Sequence, residues 1–507
     1  MPSKPQHILI ALALVTASLL AYANSFTNPF YSDDKIFFNA PMKDLHYFFY
    51  HFLPNRDAVL GIHKMQGDFF YRPLSYVIPS LAYAAFGENP IGHHVLNAVL
   101  LGLAGFAVYY MLMTFGVSIG ISFLASLFYV IHPINGVVVN YITAGVFSAQ
   151  VIFMVLSLKI LSFPSASVGN PNTSQRTGSP TKAFGDDILS VMFFLLALLC
   201  HETAMLLPFY AVAMLKLQGQ SWPHVWRKTK WLWALLAGYF LFRLFFISWH
   251  GVIFSKVQRF DMTILEYAAS QIKIIAWYVT RLFYPDGIVL IWSTPVVKGV
   301  GVWLWLTAGL GLVTAMAALI YYHRREYVIK LGLVWFVLGF LPVGLASLYR
   351  PPHGFTIEPH WFVFSSVGFF IWVAFVLSRK PLIFRVALIA LWLSMVFMYN
   401  RLWSNEKQYC TFWLAQAPQM KAVAYVLGDI YAGEGQWGKA IYYYERSLRG
   451  TYQDWLTFLK IGIMEAQQEY WERAQTAFAN ARRIAPQEPV IVNATKHLAQ
   501  LINEHHQ

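Results

Sequence analysis

The sequence predicts an all-α protein: a polytopic membrane helical bundle of about eleven spans, followed by a C-terminal helical repeat domain. Three observations predict it. Only 12% of the 507 residues are charged while 57% are hydrophobic, against roughly a quarter charged in a soluble domain. Apolar stretches of span length recur between residues 7 and 399. The last hundred residues are polar, nearly charge-balanced and internally repeated. Aromatics reach 17%, as expected where rings line membrane interfaces and apolar cavities. Cys200 and Cys410 are too few for a disulfide framework, and no CxxC or Cys/His metal spacing occurs. The net charge of +13 does not call for nucleic acid, because much of the excess falls between spans, where it sets topology.

A helix needs roughly 20 apolar residues to cross the hydrocarbon core. Spans are expected near 7–23, 93–114, 117–131, 137–161, 187–200, 203–218, 231–249, 302–322, 329–347, 361–378 and 382–399. The first ends in Ala21-Tyr22-Ala23, which resembles a signal-peptidase site; it is read as retained, because the motif beyond it needs an anchor. With the N-terminus in the cytoplasm, Arg227, Lys228 and Lys230, then His323, Arg324 and Arg325, then Arg379 and Lys380 all fall on the cytoplasmic side. So does the Ser/Pro/Gly-rich loop at 162–186, of flexible composition. Lys35, Lys43, Arg56 and Lys64 of the first outer loop, 24–92, run against that bias. The C-terminal domain, 400–507, then lies outside, and short loops favour a bacterial inner membrane over the endoplasmic reticulum.

Two outer segments, "MKDLHYFFYHFL" and "ILEYAASQIKIIAWYVTRLFYP", mix aromatic and polar residues at helical spacing and fit amphipathic helices lying on the membrane. The second can also be read as a twelfth span. In the last domain, Leu427, Gly428, Ala440 and Tyr444 recur 34 positions later as Ile461, Gly462, Ala474 and Phe478, with Ala481 and Pro486 closing the second copy. That period, with small residues where paired helices touch, is the tetratricopeptide signature. Such repeats would hold an acceptor protein or another partner.

The unusual polar residues gather on the outer side. Asp33 and Asp34 stand in "YSDDKIFFN" just past the first span. They are followed by Arg72 of "YRPL", His94 and Asn97 of "HHVLN", His132 of "HPIN", and His201 and Glu202 of "CHETA". Arg281 closes the second amphipathic segment, and "YRPPHGFTIEPHWF" supplies Arg350, Glu358 and His360. Ionisable groups at the ends of apolar spans point to a cavity. A carboxylate at a wet-to-apolar boundary can act as general base towards a hydroxyl, and arginines match a phosphate with paired donors. Each group also has a bland reading: a solvated pair for Asp33 and Asp34, a headgroup anchor for Arg72, an interhelical polar pair for His94 and Asn97, a span end for His132, and a boundary loop for Glu358 and His360.

Taken in order, "YSDDKIFFN", "YRPL", "HVLN", "HP", "HETAMLLP", "WYVTRLFYP", "WFVLGFLP" and "EPHWFVFSSVGF" resemble the GT-C glycosyltransferases that use polyprenyl-phosphate-linked sugars. Among these the chain is most similar to the transmembrane and tetratricopeptide-repeat O-mannosyltransferases. The resemblance implies an inverting sugar transfer to a hydroxyl on the extracytoplasmic face, mannose onto protein Ser/Thr being the best-known version. It implies Asp33 as base with Asp34 as its partner. Arg72, His132, Glu202, Arg281, Glu358 and His360 become candidates for the donor phosphate or substrate. No cofactor beyond the lipid-linked donor is implied; a divalent metal stays open, since nothing in the spacing of His353 and His360 requires one. The chain departs from the family pattern at His201, where lysine is usual, and at Val137 and Gly145, where a Glu and an Arg usually follow "HPIN". The missing Glu and Arg give weight to a rival, a non-catalytic scaffold that binds partners through its repeats; a second rival, a transporter of lipid-linked precursors, would call for charges deep within spans and inverted halves, which the sequence does not show.

Overall fold

The computed structural model describes residues 3–39, 71–161, 180–246, 262–347, 354–448 and 454–505. The first outer amphipathic segment, Lys43, Arg56, Lys64, Arg350, His353 and most of the 162–186 loop lie outside the described residues. The chain divides into two compact units, Met1–Ser404 and Asn405–Gln507.

The first unit is built from helices α1 (Lys4–Tyr22), α2 (Asp33–Asn39), α3 (Leu74–Phe86), α4 (Pro90–Thr114), α5 (Ile119–Ile131), α6 (Pro133–Asn140), α7 (Val146–Ile160), α8 (Pro180–Cys200), α9 (Leu207–Leu217), α10 (Trp222–Phe246) and α11 (Ile264–Phe283). These are followed by α12 (Val300–Tyr322), α13 (Tyr327–Ser347), α14 (Val367–Ser378) and α15 (Leu382–Leu402). Six helical stretches among the described residues are long and apolar enough to cross a membrane: Lys4–Ser25, Pro90–Thr114, Ile142–Ile160, Val300–Tyr322, Tyr327–Gly344 and Leu382–Leu402. The pair α5 and α6 makes a seventh if its 55° bend is read as one broken span. Pro133 accounts for the bend, because it supplies no N–H to continue the preceding helix and starts the next one. Of the other expected spans, 187–200 falls within α8 and 231–249 is helical as far as Phe246 in α10, beyond which it lies outside the described residues, while α9 and α14 have only 11 and 12 residues. The segment after residue 262 is one amphipathic helix, started by a capping box between Thr263 and Glu266.

Close packing fixes the N-terminal helix. Gly102 lets α4 approach α1, since a Cβ there would lie 2.6 Å from Val15 Cα, and Ser18 Oγ donates to the Ala98 carbonyl at 2.7 Å. Beyond α1 a chain of asparagines ties distant parts of the unit together. Asn140 Nδ2 donates to Asn400 Oδ1 at 2.8 Å, and Asn400 Nδ2 donates to the Ala21 carbonyl at 3.1 Å. Asn28 Nδ2 donates to Asn140 Oδ1 at 3.2 Å and to the Asn400 carbonyl at 3.0 Å. All three side chains are buried, so their amides would otherwise face the full cost of desolvation. A two-stranded antiparallel sheet departs from the all-helical expectation: β1 (Trp292–Thr294) pairs with β2 (Phe355–Ile357), with Trp292 opposite Ile357. It holds in place the backbone that continues into Glu358 and His360.

The second unit comprises α16 (Glu406–Gln416), α17 (Lys421–Gly433), α18 (Trp437–Leu448), α19 (Trp455–Ala466), α20 (Trp471–Ile484) and α21 (Pro489–His505). Gly428 on α17 lies against the Tyr444 ring of α18, and Gly462 on α19 lies against the Phe478 ring of α20. Tyr444 also packs with Ile461 and Ala477 of the next pair, and Phe478 with Ile491 and Leu498 of α21. A side chain at either glycine would displace an aromatic ring that serves two neighbours. Gly462→Leu is expected to destabilise this unit by about 1–3 kcal/mol, seen as faster hydrogen exchange across α19 and α20 in the full-length protein. Unchanged exchange would contradict this packing.

Candidate functional site

The site begins with a sharp turn. Ser32 takes a left-handed conformation (φ 48°), and α2 starts immediately after it. The turn sends the two adjacent carboxylates into different surroundings. Asp34 is fully buried, whereas the Asp33 side chain is exposed. Each Asp34 oxygen accepts a backbone N–H from the turn Ile142–Gly145: Oδ1 from Thr143 at 2.8 Å and Oδ2 from Ile142 at 3.1 Å. Burial pushes the Asp34 carboxyl up to about 7, with the amide hydrogen bonds from Thr143 and Ile142 opposing that rise. The loop is pinned from behind by Tyr31, whose hydroxyl donates to the Trp403 carbonyl and whose ring meets the Trp403 ring edge-on at 5.2 Å. His94 braces the same loop, with ring nitrogens 2.7 Å from the Val139 carbonyl and 3.1 Å from that of Asn28.

A second centre forms around Glu202. Arg72 Nε donates to Oε2 at 2.5 Å, and Arg243 Nη1 donates to Oε1 at 2.7 Å. Arg243 is 1% exposed and also donates to the Tyr239 hydroxyl at 3.1 Å. Burial alone would raise the Glu202 carboxyl, but Arg72 and Arg243 together hold it well below the ordinary carboxylate range. His201 Nε2 stands 3.7 Å from Glu202, while Nδ1 accepts the Thr203 N–H at 3.2 Å. Burial pushes this imidazole far down, with Arg72 adding to the effect, so it is neutral at physiological pH. Gln150 fixes the turn from below, donating to the His201 carbonyl at 2.7 Å and accepting from Thr203 Oγ1 at 3.1 Å.

Two aromatic side chains join the centres through a third group. His360 Nε2 lies 2.8 Å from Glu358 Oε2. Phe147 stands between His360 and His201, 4.6 Å from each ring centroid. Tyr141, next to the Asp34 anchor, is buried and lies in the fields of Asp33, Asp34 and Glu358. Asp33, Asp34, Arg72, Glu202, Glu358 and His360 therefore gather in one cluster, in which the Phe147 ring stands between the Glu202 centre and the Glu358–His360 pair. A carboxylate pair with one exposed member, a paired guanidinium and an imidazole in such a cluster suit proton transfer and anion recognition.

The remaining two expected site residues lie elsewhere. His132 is fully buried and its ring serves the fold: Nδ1 caps α6 by accepting the Ile134 N–H at 3.2 Å, and Nε2 is 3.1 Å from the Leu282 carbonyl. Arg281, at the end of α11, lies over the Trp277 ring with Cζ 5.7 Å from its centroid. Asn97 donates to the Ile142 carbonyl at 2.9 Å, bracing the turn that holds Asp34. Arg243, Gln150, Tyr141 and Phe147 are the residues that sequence reasoning missed. The first carries a signal, because a lone arginine inside "FLFRLFF" needs a buried partner. Among the described residues no group of three or more His, Cys, Asp or Glu could hold a metal ion.

The departures from the expected motif have a steric side. Gly145 has no room for a Cβ, which would run into the Asn97 side-chain amide, and Val137 is buried. No family model, curated protein or solved structure matches this chain.

Two outcomes test this geometry. Glu202→Gln removes the carboxylate charge that faces the buried Arg243, so the protein should lose about 3–5 kcal/mol of stability by thermal unfolding in detergent; a loss below 1 kcal/mol would contradict the double clamp. Asp34 has a folded pKa raised above its ordinary value, so its protonation stabilises the fold fully below pH 3.8 and that contribution is lost as pH rises through about 7. The melting temperature of the wild type relative to Asp34→Asn should therefore fall between pH 5 and pH 8. A difference that stays level or grows would place Asp34 in solvent or in a second ion pair.

Proposed function

We propose that the chain is a membrane glycosyltransferase of the GT-C type, which moves one sugar from a polyprenyl-phosphate donor to a hydroxyl acceptor with inversion. The observation that carries this reading is the division of labour in the carboxylate pair: Asp34 is buried and held by two amides, while its neighbour Asp33 is exposed beside the cluster. Asp33 takes the proton of the acceptor hydroxyl as that oxygen bonds to the anomeric carbon. The bond from that carbon to the lipid phosphate breaks, and the phosphate leaves with the electron pair. Arg72, oriented by Glu202, is the candidate for the phosphate, with Glu358 and His360 at the acceptor side of the same cluster.

Topology and domain roles belong to the same reading. The chain crosses the membrane about eleven times from a cytoplasmic N-terminus, so the cluster and residues 405–507 lie on the extracytoplasmic side. The glycine–aromatic pairs Gly428–Tyr444 and Gly462–Phe478 support assigning 405–507 as tetratricopeptide repeats that hold an acceptor protein or a partner. One observation favours a second reading, a non-catalytic scaffold: Asn97 fills the space beyond Gly145, where relatives of the resembled family carry an arginine.

The test is transfer by purified protein in nanodiscs, from polyprenyl-phosphate mannose to a Ser/Thr peptide. Asp33→Asn is expected to lower the rate about a hundredfold to ten-thousandfold. Full activity in that variant removes Asp33 from the mechanism. Absence of transfer by the wild type, with partner capture that depends on residues 405–507, supports the scaffold instead.

A further inference from the structure

The amino-terminal end of α10 carries a patch that the candidate site does not use. Between Glu202 and Asp261 the chain contains no carboxylate, yet Lys216, Arg227, Lys228 and Lys230 fall close together there. Among the described residues none of these four pairs with an acidic group. Lys216 Nζ donates to the Gln220 carbonyl at 2.9 Å, and Arg227 Nη2 lies 3.2 Å from His224 Nδ1. Burial, then Arg227 and Lys228, lower the His224 imidazole, so it adds no cation of its own at neutral pH.

Three large indoles share this end of the helix. Trp222 is 64% exposed, Trp226 62% and Trp231 48%. Two of the three rings are paired with the cations: Lys216 Nζ lies 4.6 Å from the Trp222 ring centroid, and Lys230 Nζ 5.0 Å from that of Trp231. Trp222 and Trp226 stand one turn apart, so they project from one side of the helix. Exposed indoles next to unneutralised cations, at the end of a helix that continues as an apolar run, have the chemistry of the bilayer's headgroup layer. A soluble partner would meet the same charges, but it would not explain the tryptophans' position at the apolar boundary.

We propose that Lys216, Arg227, Lys228 and Lys230, with Trp222, Trp226 and Trp231 as interfacial anchors, form a binding site for the phosphate headgroup of anionic phospholipids. The cations take the phosphate, and the indoles hold the helix end at the level of the glycerol backbone. Each basic residue near such a surface favours the anionic lipid by about fivefold. This inference is independent of the sugar-transfer reading.

The test is native mass spectrometry of the full-length protein in detergent, comparing adducts of phosphatidylglycerol and phosphatidylcholine with identical acyl chains. The wild type should retain the anionic lipid at least about fivefold more than the zwitterionic one. The quadruple variant Lys216→Gln, Arg227→Gln, Lys228→Gln and Lys230→Gln should lose that preference. A matched control, Arg324→Gln, Arg325→Gln, Arg379→Gln and Lys380→Gln, should retain most of it. If the quadruple variant fails to fold, Trp222→Ala with Trp226→Ala gives the second arm and should shorten anionic-lipid retention. Equal retention of both lipids by the wild type overturns the proposal, as does a quadruple or tryptophan variant that keeps the preference. Displacement of the lipid by 20 mM inorganic phosphate, about a hundred times the lipid concentration, would also overturn it by assigning the patch to free phosphate.

Discussion

The buried carboxylate of Asp34 is the constraint on which the outer half of the first unit depends. Its two oxygens hold the amides of Ile142 and Thr143, joining the loop after α1 to the turn before α7. Without that bridge two backbone N–H groups in a buried turn would have to find other acceptors. The asparagine chain through Asn28, Asn140 and Asn400 and the Tyr31–Trp403 contact act on the same loop from the opposite side. Asp33 owes its position to this framework: it sits one residue before an immobile neighbour and after a left-handed Ser32.

Glu202 plays the corresponding part on the other side of the cluster. A carboxylate clamped between Arg72 and Arg243 places two guanidiniums side by side in a poorly solvated place. The direction of the Arg72 guanidinium is set by this contact, because it is held by its Nε. Phe147 packs between the imidazoles of His201 and His360 and separates this centre from the Glu358–His360 pair. Two electrostatic centres with an apolar ring between them can treat two different chemical groups at once, which a single polar pocket could not do as cleanly.

Much of this was legible in residue types and positions, and the rest failed for identifiable reasons. Asp33, Asp34, Arg72, Glu202, Glu358 and His360 stand at the ends of apolar runs, where an ionisable side chain is conspicuous. His132 and Arg281 stand at similar places, yet the fold uses one as a helix cap and leaves the other against Trp277; local sequence does not distinguish a cap from a ligand. Arg243 carries a signal as a lone arginine in an aromatic run, but nothing local points to Glu202, 41 positions earlier, as its partner. The asparagine chain joins residues up to 379 positions apart, so no periodicity announces it. Glycine spacing in the last hundred residues carries further, because Gly428 and Gly462 each face the aromatic found 16 residues later in the same helix pair.

Hydrogen exchange at the amides of Ile142 and Thr143, in the full-length protein at pH 8, addresses the anchoring role of Asp34 most directly. Slow exchange in the wild type, fast exchange in Asp34→Ala and wild-type protection in Asp33→Ala is the pattern that a buried anchor beside an exposed partner requires. Equal protection in all three proteins, or loss of protection in Asp33→Ala alone, would contradict it.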